Sequence, residues 1–224
     1  MNVLVSTLAL VWLFLFGGIG FFLGNRNLKK REKDISIARY FPFEFLSLKD
    51  NPLSFALFYL SFFSAFVPLS YLLCTADIFS SSLRAYMSFA LLSLALLLVT
   101  EILLVLIPPS NEKPHFALYL LSSLLSSLAY VMEGLSFLVL RDLFSFSEAL
   151  IVMAVLFFAL GILSLLPLAN PKLKRWYELE ASSNPDGTVS YRRPKVFPLA
   201  LSEWILLFLI ALSSVSGNVA LLFF

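Results

Sequence analysis

Cysteine and histidine are almost missing from this chain of 224 residues. Cys74 is its one cysteine, so no disulfide can form within the chain. His115 is its one histidine, so a zinc site built from histidine and cysteine ligands is excluded. The sequence also lacks a GxSxG nucleophile motif, an HExxH motif and a phosphate-binding loop. We therefore expect a protein that is not an enzyme and that uses no metal and no cofactor.

Charged residues are scarce as well. Only 13% of the residues are charged and 60% are hydrophobic, whereas a soluble domain has about 25% charged residues. Together with a mean hydropathy of +0.91, this composition is typical of an integral membrane protein. The first apolar run, residues 3–23, has no basic segment before it and exceeds the roughly 7–15 residues of a signal-peptide core. We expect it to be a retained span.

The apolar residues occur in long runs. A helix that crosses a bilayer needs about 20 apolar residues. Six segments meet this requirement: 3–23, 53–74, 85–107, 116–140, 149–168 and 199–223. The second, fourth and sixth segments each follow a proline, a residue that suits the first turn of a helix. The sequence predicts an all-α, polytopic membrane bundle of six transmembrane helices, with residues 1–224 forming a single membrane domain.

Basic residues predict the sidedness of these helices. Of the sixteen lysines and arginines, seven lie in loop 25–52 and six in loop 169–198. Loops rich in basic residues stay on the cytoplasmic side, so we expect both loops to be cytoplasmic and both termini to be extracytoplasmic. The predicted location is the cell membrane, with multiple spans. We expect the two loops to contact anionic lipids of the bilayer and not nucleic acid.

Each basic loop also has a part with a different composition. In loop 25–52, residues 40–45 include four aromatic side chains and are named the aromatic segment. We interpret it as an anchor at the lipid headgroups, with packing under the bundle as the alternative. In loop 169–198, turn residues at 184–187 separate two runs that favour strands. They are compatible with a β-hairpin that docks a partner or rests on the membrane surface.

Polar residues inside a bilayer are costly, so their positions are the best indication of a functional site. The fourth segment has polar or small residues at steps of three and four, which form one face of a helix. This face is named the polar stripe and consists of Tyr119, Ser122, Ser123, Ser126, Ser127, Tyr130, Glu133 and Gly134. Glu133 is its acidic residue and lies about 10 Å inside the outer end of the helix.

Residues of other segments are expected at matching depths. Asn218 and the serines at 213–216 reach the level of Glu133. Glu101 and Glu203 share a level near the inner boundary, close to His115, and from this depth the Glu203 side chain can extend to the surface. The candidate polar site therefore consists of Glu133, Tyr130, Ser126, Ser123, Glu101 and Asn218.

Three functional hypotheses follow, and the third, an intramembrane enzyme, is disfavoured because no acid–base or nucleophile pair lies at one depth. In the first, the small polar residues serve close helix contacts, and the protein is a non-catalytic membrane component that acts through a membrane protein partner or another copy. The lack of a catalytic arrangement of residues favours this hypothesis. In the second, the polar stripe lines a pathway centred on Glu133, and the protein is a small transporter. Gly17, Gly20 and Gly24 predict a close contact of the first helix, within the bundle or with a partner.

Overall fold

A computed structural model describes residues 2–30, 36–74, 81–107, 112–141, 147–169, 178–184 and 188–223. The protein is mostly helical, at 82%. Among the described residues, six helical stretches are long and apolar enough to cross a membrane. The prediction of a multi-pass helical membrane protein is confirmed at this level.

The elements are numbered in chain order. The helices are α1 (Asn2–Lys29), α2 (Pro42–Phe45), α3 (Pro52–Ser61), α4 (Phe66–Cys74), α5 (Ser81–Leu106), α6 (Glu112–Arg141), α7 (Ser147–Leu165) and α8 (Pro198–Ala220). Short 3₁₀ turns, Phe62–Ala65 and Leu221–Phe223, join α3 to α4 and follow α8. Strands β1 (Glu180–Ser183) and β2 (Val189–Arg192) pair antiparallel. Residues 185–187 of the predicted turn lie outside the described residues.

Several helix ends differ from the predicted ones. α1 continues to Lys29 instead of ending at 23, and α5 and α6 begin at 81 and 112 instead of 85 and 116. α7 ends at 165 instead of 168. Hydropathy marks only the apolar part of a helix, whereas the helix itself continues through polar residues that form it equally well. The added turns of α1 and α6 contain such residues, among them Arg26 and Glu112.

The second span is interrupted in its middle by the 3₁₀ turn Phe62–Ala65. Pro68, in the first turn of α4, has no N–H and cannot donate to the carbonyl of Ser64, four residues earlier. That carbonyl instead accepts a hydrogen bond from Asn218 Nδ2 of α8, at 3.0 Å. The hydroxyls of Ser64 and Ser214 form a second link, at 2.6 Å. The interruption is thereby bound to α8.

α8 is the most enclosed of the six spans. In its most apolar stretch 67% of the residues are buried, against 22% in α1. α8 packs against α1, α2, α4, α6 and α7, while α6 lies between α5 and α7. The polar side chains of α6 and α8 therefore face the interior of the bundle, and α1 has a broad apolar surface on its outside.

Glycines bring α1 close to α3. A Cβ atom on Gly20 would lie 2.6 Å from the backbone nitrogen of Phe58, and one on Gly24 would collide with the carbonyl oxygen of Phe45. The Ser54 hydroxyl donates to the Gly20 carbonyl oxygen at 2.6 Å. Of the two alternatives for these glycines, the structure therefore has the contact within the bundle.

The aromatic segment packs under the bundle. Phe41 and Phe45 are only 1% and 2% exposed. Trp204 of α8 donates its Nε1–H to the Tyr40 carbonyl oxygen at 2.8 Å, and its ring meets Phe45 edge to face at 5.2 Å. The segment thus has the packing under the bundle that was the alternative interpretation, because aromatic side chains bury a large apolar area when neighbouring rings are available.

The two basic loops meet at the same end of the bundle. The Phe197 N–H donates to the Ala38 carbonyl oxygen at 2.7 Å. Arg193 Nη1 donates to both carboxylate oxygens of Glu44, at 2.8 and 2.7 Å. This end, formed by residues 36–51 and 188–197, is named the basic end.

The glycine contact of α1 gives a first testable prediction. We expect Gly20→Ala to lower the free energy of unfolding by about 1–3 kcal/mol, because the new methyl group must displace the backbone at Phe58. Thermal unfolding of the purified protein in detergent measures the effect. Gly18→Ala is the matched control, since a Cβ atom there meets nothing within 4 Å. Equal melting temperatures for Gly20→Ala and the original protein would contradict the contact.

Candidate functional site

The polar stripe lies on the buried side of α6. Its side chains face the interior between α5, α7 and α8 and are at most 9% exposed, which the three- and four-residue spacing explains. His115 continues the stripe by one turn toward the basic end and is 0% exposed. The residues from His115 to Glu133 cover about 27 Å along the helix axis, close to the thickness of a hydrocarbon core of about 30 Å. Buried polar groups therefore extend along most of the length of the bundle.

A histidine and a glutamate form a buried pair at the basic end. His115 Nε2 lies 2.7 Å from Oε1 of Glu203, and the two side chains are 0% and 3% exposed. The expectation that the Glu203 side chain extends to the surface is corrected. It is buried, because the His115 ring supplies a polar partner for it within the bundle.

The second nitrogen of the His115 ring determines what the pair shares. Nδ1 lies 2.6 Å from the carbonyl oxygen of Ile107, which can only accept a hydrogen bond, so Nδ1 carries a proton. One further proton then lies between Nε2 and Glu203 Oε1. On the histidine it gives an ion pair, and on the glutamate a neutral pair, so the pair can pass a proton without a change in its total charge.

Glu101 of α5 lies close to this pair. It is 2% exposed, its Oε1 has no hydrogen-bond partner among the described residues, and it is close enough to Glu203 to interact with it electrostatically. The Tyr59 hydroxyl donates to the Glu101 carbonyl oxygen at 3.4 Å. About two turns from His115 on α6, Ser122 donates to Thr100 at 2.9 Å. Four spans thus contribute polar groups to one inner cluster, named the His–Glu cluster: His115, Glu203, Glu101, Tyr59, Ser122 and Thr100.

The His–Glu cluster is covered by the aromatic segment. The Phe41 ring meets the His115 ring edge to face at 5.8 Å, and Phe197 packs on Phe41 at 5.3 Å. Glu44 accepts from the Phe41 N–H at 2.8 Å while it holds Arg193, whose guanidinium lies 5.7 Å from the Phe41 ring. An ion pair between the two basic loops therefore holds the ring that separates His115 from the basic end.

The other half of the stripe surrounds Tyr130. The Tyr130 hydroxyl is close enough to Glu133, Ser126 and Ser213 to interact with them electrostatically. Among the described residues, neither this hydroxyl nor Ser126 Oγ has a hydrogen bond of normal geometry. Glu133 is 4% exposed. Three of the candidate residues, Glu133, Tyr130 and Ser126, are thus brought together beside α8.

Two candidate residues have a different surrounding. Ser123 donates its hydroxyl to the Ser164 carbonyl oxygen and so holds α6 to α7. The Asn218 side chain donates from Nδ2 to the main-chain carbonyl oxygens of Ser64 and Ser214, and the main-chain carbonyl oxygen of Asn218 accepts from Ser6. It therefore stabilises the interrupted second span and makes no hydrogen bond to Glu133, although the sequence places the two at one level.

The arrangement can hold and pass protons. Hydroxyl, imidazole and carboxyl groups follow each other from the His–Glu cluster to Glu133, and each of them carries an exchangeable proton. Among the described residues, no three acidic, histidine or cysteine side chains converge as they would around a metal ion.

No family model, curated protein or solved structure matches this chain.

The His–Glu pair gives a second prediction. We expect His115→Ala and Glu203→Ala each to lower the free energy of unfolding by about 3–5 kcal/mol, because each leaves a buried polar partner uncompensated. The double variant should lose about 1–3 kcal/mol less than the sum of the two. Unfolding of the purified variants in detergent measures these values, with Glu148→Gln, an exposed carboxylate, as the control. Additive losses would show that the pair is not coupled.

Proposed function

We propose that this chain is a small transporter of the cell membrane that moves protons along a polar pathway, and that it is not an enzyme. The observation that supports the proposal is the row of buried ionisable and hydroxyl groups between Glu203 and Glu133. Acidic residues and histidines inside membrane spans are rare, and rows of them serve as proton relays in pumps and transporters. The polar stripe is thus the proposed pathway, as in the second hypothesis above, extended at one end by His115 and Glu203.

The proposed relay has an order. A proton enters at the pair of His115 and Glu203, where one proton is already shared at 2.7 Å. Glu101, close to Glu203, has a carboxyl oxygen without a hydrogen-bond partner among the described residues and accepts the proton next. Ser122, Ser126 and Tyr130 lead along α6 from there to Glu133. The Ser126 and Tyr130 hydroxyls keep unused hydrogen-bonding capacity, which a group needs in order to accept a proton before it donates one.

The proposed orientation puts the basic end in the cytoplasm. Thirteen of the sixteen basic residues belong to the two loops 25–52 and 169–198, and translocation of these loops would oppose the usual charge bias. Both termini are then extracytoplasmic, and Glu133 lies toward the outer face. The basic loops face the anionic lipids of the inner leaflet.

The lone cysteine tests this orientation. Cys74 ends α4, is exposed, and in the proposed topology lies at the extracytoplasmic end of the second span. We expect a membrane-impermeant maleimide to label it in intact cells. Cys74→Ser combined with Ser47→Cys, at the basic end, is the reciprocal control and should be labelled only after the cells are opened. The opposite pattern would reverse the topology.

Proton flux tests the transport proposal. Purified protein is placed in vesicles that contain a pH-sensitive dye, and a potassium diffusion potential is imposed. The interior should become more acidic when the potential is negative inside and more alkaline when it is positive inside. We expect Glu133→Gln and Glu203→Gln each to reduce the rate at least about tenfold, since each removes an exchangeable carboxyl proton while keeping the side-chain shape. Glu148→Gln is the matched control, because it neutralises an exposed carboxylate. A rate for the original protein equal to that of empty vesicles would contradict the proposal.

The first hypothesis, a non-catalytic component with a membrane partner, is kept as the second candidate. It is favoured by the low burial of α1 and by an apolar groove of about 370 Å³ between α1 and α8, lined by Phe14, Gly18 and Phe208 among others. Ser123 and Asn218 already act in helix packing, as that hypothesis expects. A second membrane protein recovered in constant ratio in mild detergent, together with no proton flux by the pure chain, would favour it over transport.

A further inference from the structure

The β-hairpin has two faces of different character. Side chains alternate along a strand, and residues directly opposite each other across an antiparallel pair share a face. Tyr191 is opposite Ala181, and Val189 is opposite Ser183, so these side chains share one face, which Leu179 extends by one step. Glu180, Ser182 and Ser190 belong to the other face. One face is therefore largely apolar and the other polar.

The apolar face is exposed. Leu179, Val189 and Tyr191 are 46%, 54% and 68% exposed. An isolated two-stranded hairpin is only marginally stable in water, and it needs something to cover its apolar side. Within the described part of the chain, β1 and β2 form the whole sheet.

The hairpin is held next to the membrane-spanning helices. Arg193, two residues after Tyr191, forms the two-fold hydrogen-bonded pair with Glu44 at the basic end. Phe197 is bonded to Ala38, and α8 begins one residue later, at Pro198. From the end of β2 to that helix the chain can extend by only about 20 Å. The strands therefore lie close to the level at which the spans leave the bilayer.

The charge of loop 169–198 selects among the surfaces that can cover such a face. The loop has six basic and three acidic residues, and one of the acidic ones, Glu180, lies on the polar face of the hairpin. Basic residues beside a span are attracted to anionic lipid headgroups, by about 1 kcal/mol for each residue near the surface. Tyrosine is also enriched at the boundary between lipid and water.

We infer that the apolar face of the hairpin, Leu179, Val189 and Tyr191, binds the surface of a bilayer that contains anionic lipid. The hairpin lies flat on this surface, with Tyr191 among the headgroups and with Glu180 and Ser182 toward the water. The inference does not depend on proton transport, because it rests on a part of the chain that the polar stripe does not touch.

Site-directed fluorescence tests the inference. The full chain with Cys74→Ser receives Tyr191→Cys or, as the matched control on the opposite face, Ser182→Cys, each labelled with the environment-sensitive fluorophore NBD. The protein is reconstituted in vesicles of phosphatidylcholine alone and in vesicles in which phosphatidylglycerol makes up a quarter of the lipid. Both kinds of vesicle contain a trace of lipid with a spin label in the headgroup region. We expect at least about twofold stronger quenching by the spin label at position 191 than at 182, and stronger quenching when phosphatidylglycerol is present. Iodide in the water should quench in the reverse order.

The outcomes are distinct. Equal quenching by lipid and by iodide at the two positions would overturn the inference, because the hairpin would then stand free of the membrane. A different result would be that position 191 is protected from iodide but not quenched by spin-labelled lipid, with protection that increases with protein density. This result would assign the face to a second copy of the chain and would also overturn the inference. Unchanged proton flux in these variants would show that the membrane contact of the hairpin and the transport of protons are independent of each other.

Discussion

The contact between His115 and Glu203 is the interaction on which the half of this protein at the basic end depends. A carboxylate or an imidazolium taken out of water is destabilising by several kcal/mol unless a partner compensates it. The two residues belong to α6 and α8, so their pairing sets how these helices stand relative to each other. The Ile107 carbonyl and the edge of the Phe41 ring occupy the remaining sides of the imidazole. The burial of the His115 imidazole and its pairing with Glu203 therefore have to occur together.

The serines of the spans have two kinds of role. Some hold helices together through a neighbour's backbone, as Ser54 does for Gly20 and Ser123 does for Ser164. Such interhelical hydrogen bonds contribute about 0.6 kcal/mol on average, so they act by number. Ser126, beside Tyr130, makes no such bond among the described residues. A serine that holds two helices together is thus distinguished from one with unused hydrogen-bonding capacity by its hydrogen bonds and not by its position along the helix.

Much of this architecture could be predicted from composition and spacing, because a bilayer restricts what a chain can do. Apolar run length identified the spans, and the three- and four-residue spacing identified the buried face that brings Tyr130 and Glu133 together. Glu203 was expected at the level of His115, but their hydrogen-bonded pair was not among the candidate residues, since the apolar run begins only after His115 and hydropathy assigned that residue to a loop. The rings that the aromatic segment packs against could not be predicted, because aromatic rings suit a headgroup boundary and a protein interior equally well. Both features are contacts between segments distant in sequence, which periodicity within one segment does not report.

The interrupted second span links two distant positions in a way that concerns sequence variation. Pro68 frees the Ser64 carbonyl, and Asn218 binds it at 3.0 Å. If another residue replaced Pro68, its N–H would compete for that carbonyl, and the Asn218 amide would lose a partner inside a bilayer that offers no substitute. If an apolar residue replaced Asn218, the carbonyl would be left without its partner. In homologous chains with this interruption, the proline and the asparagine are therefore expected to be inherited together or to be lost together.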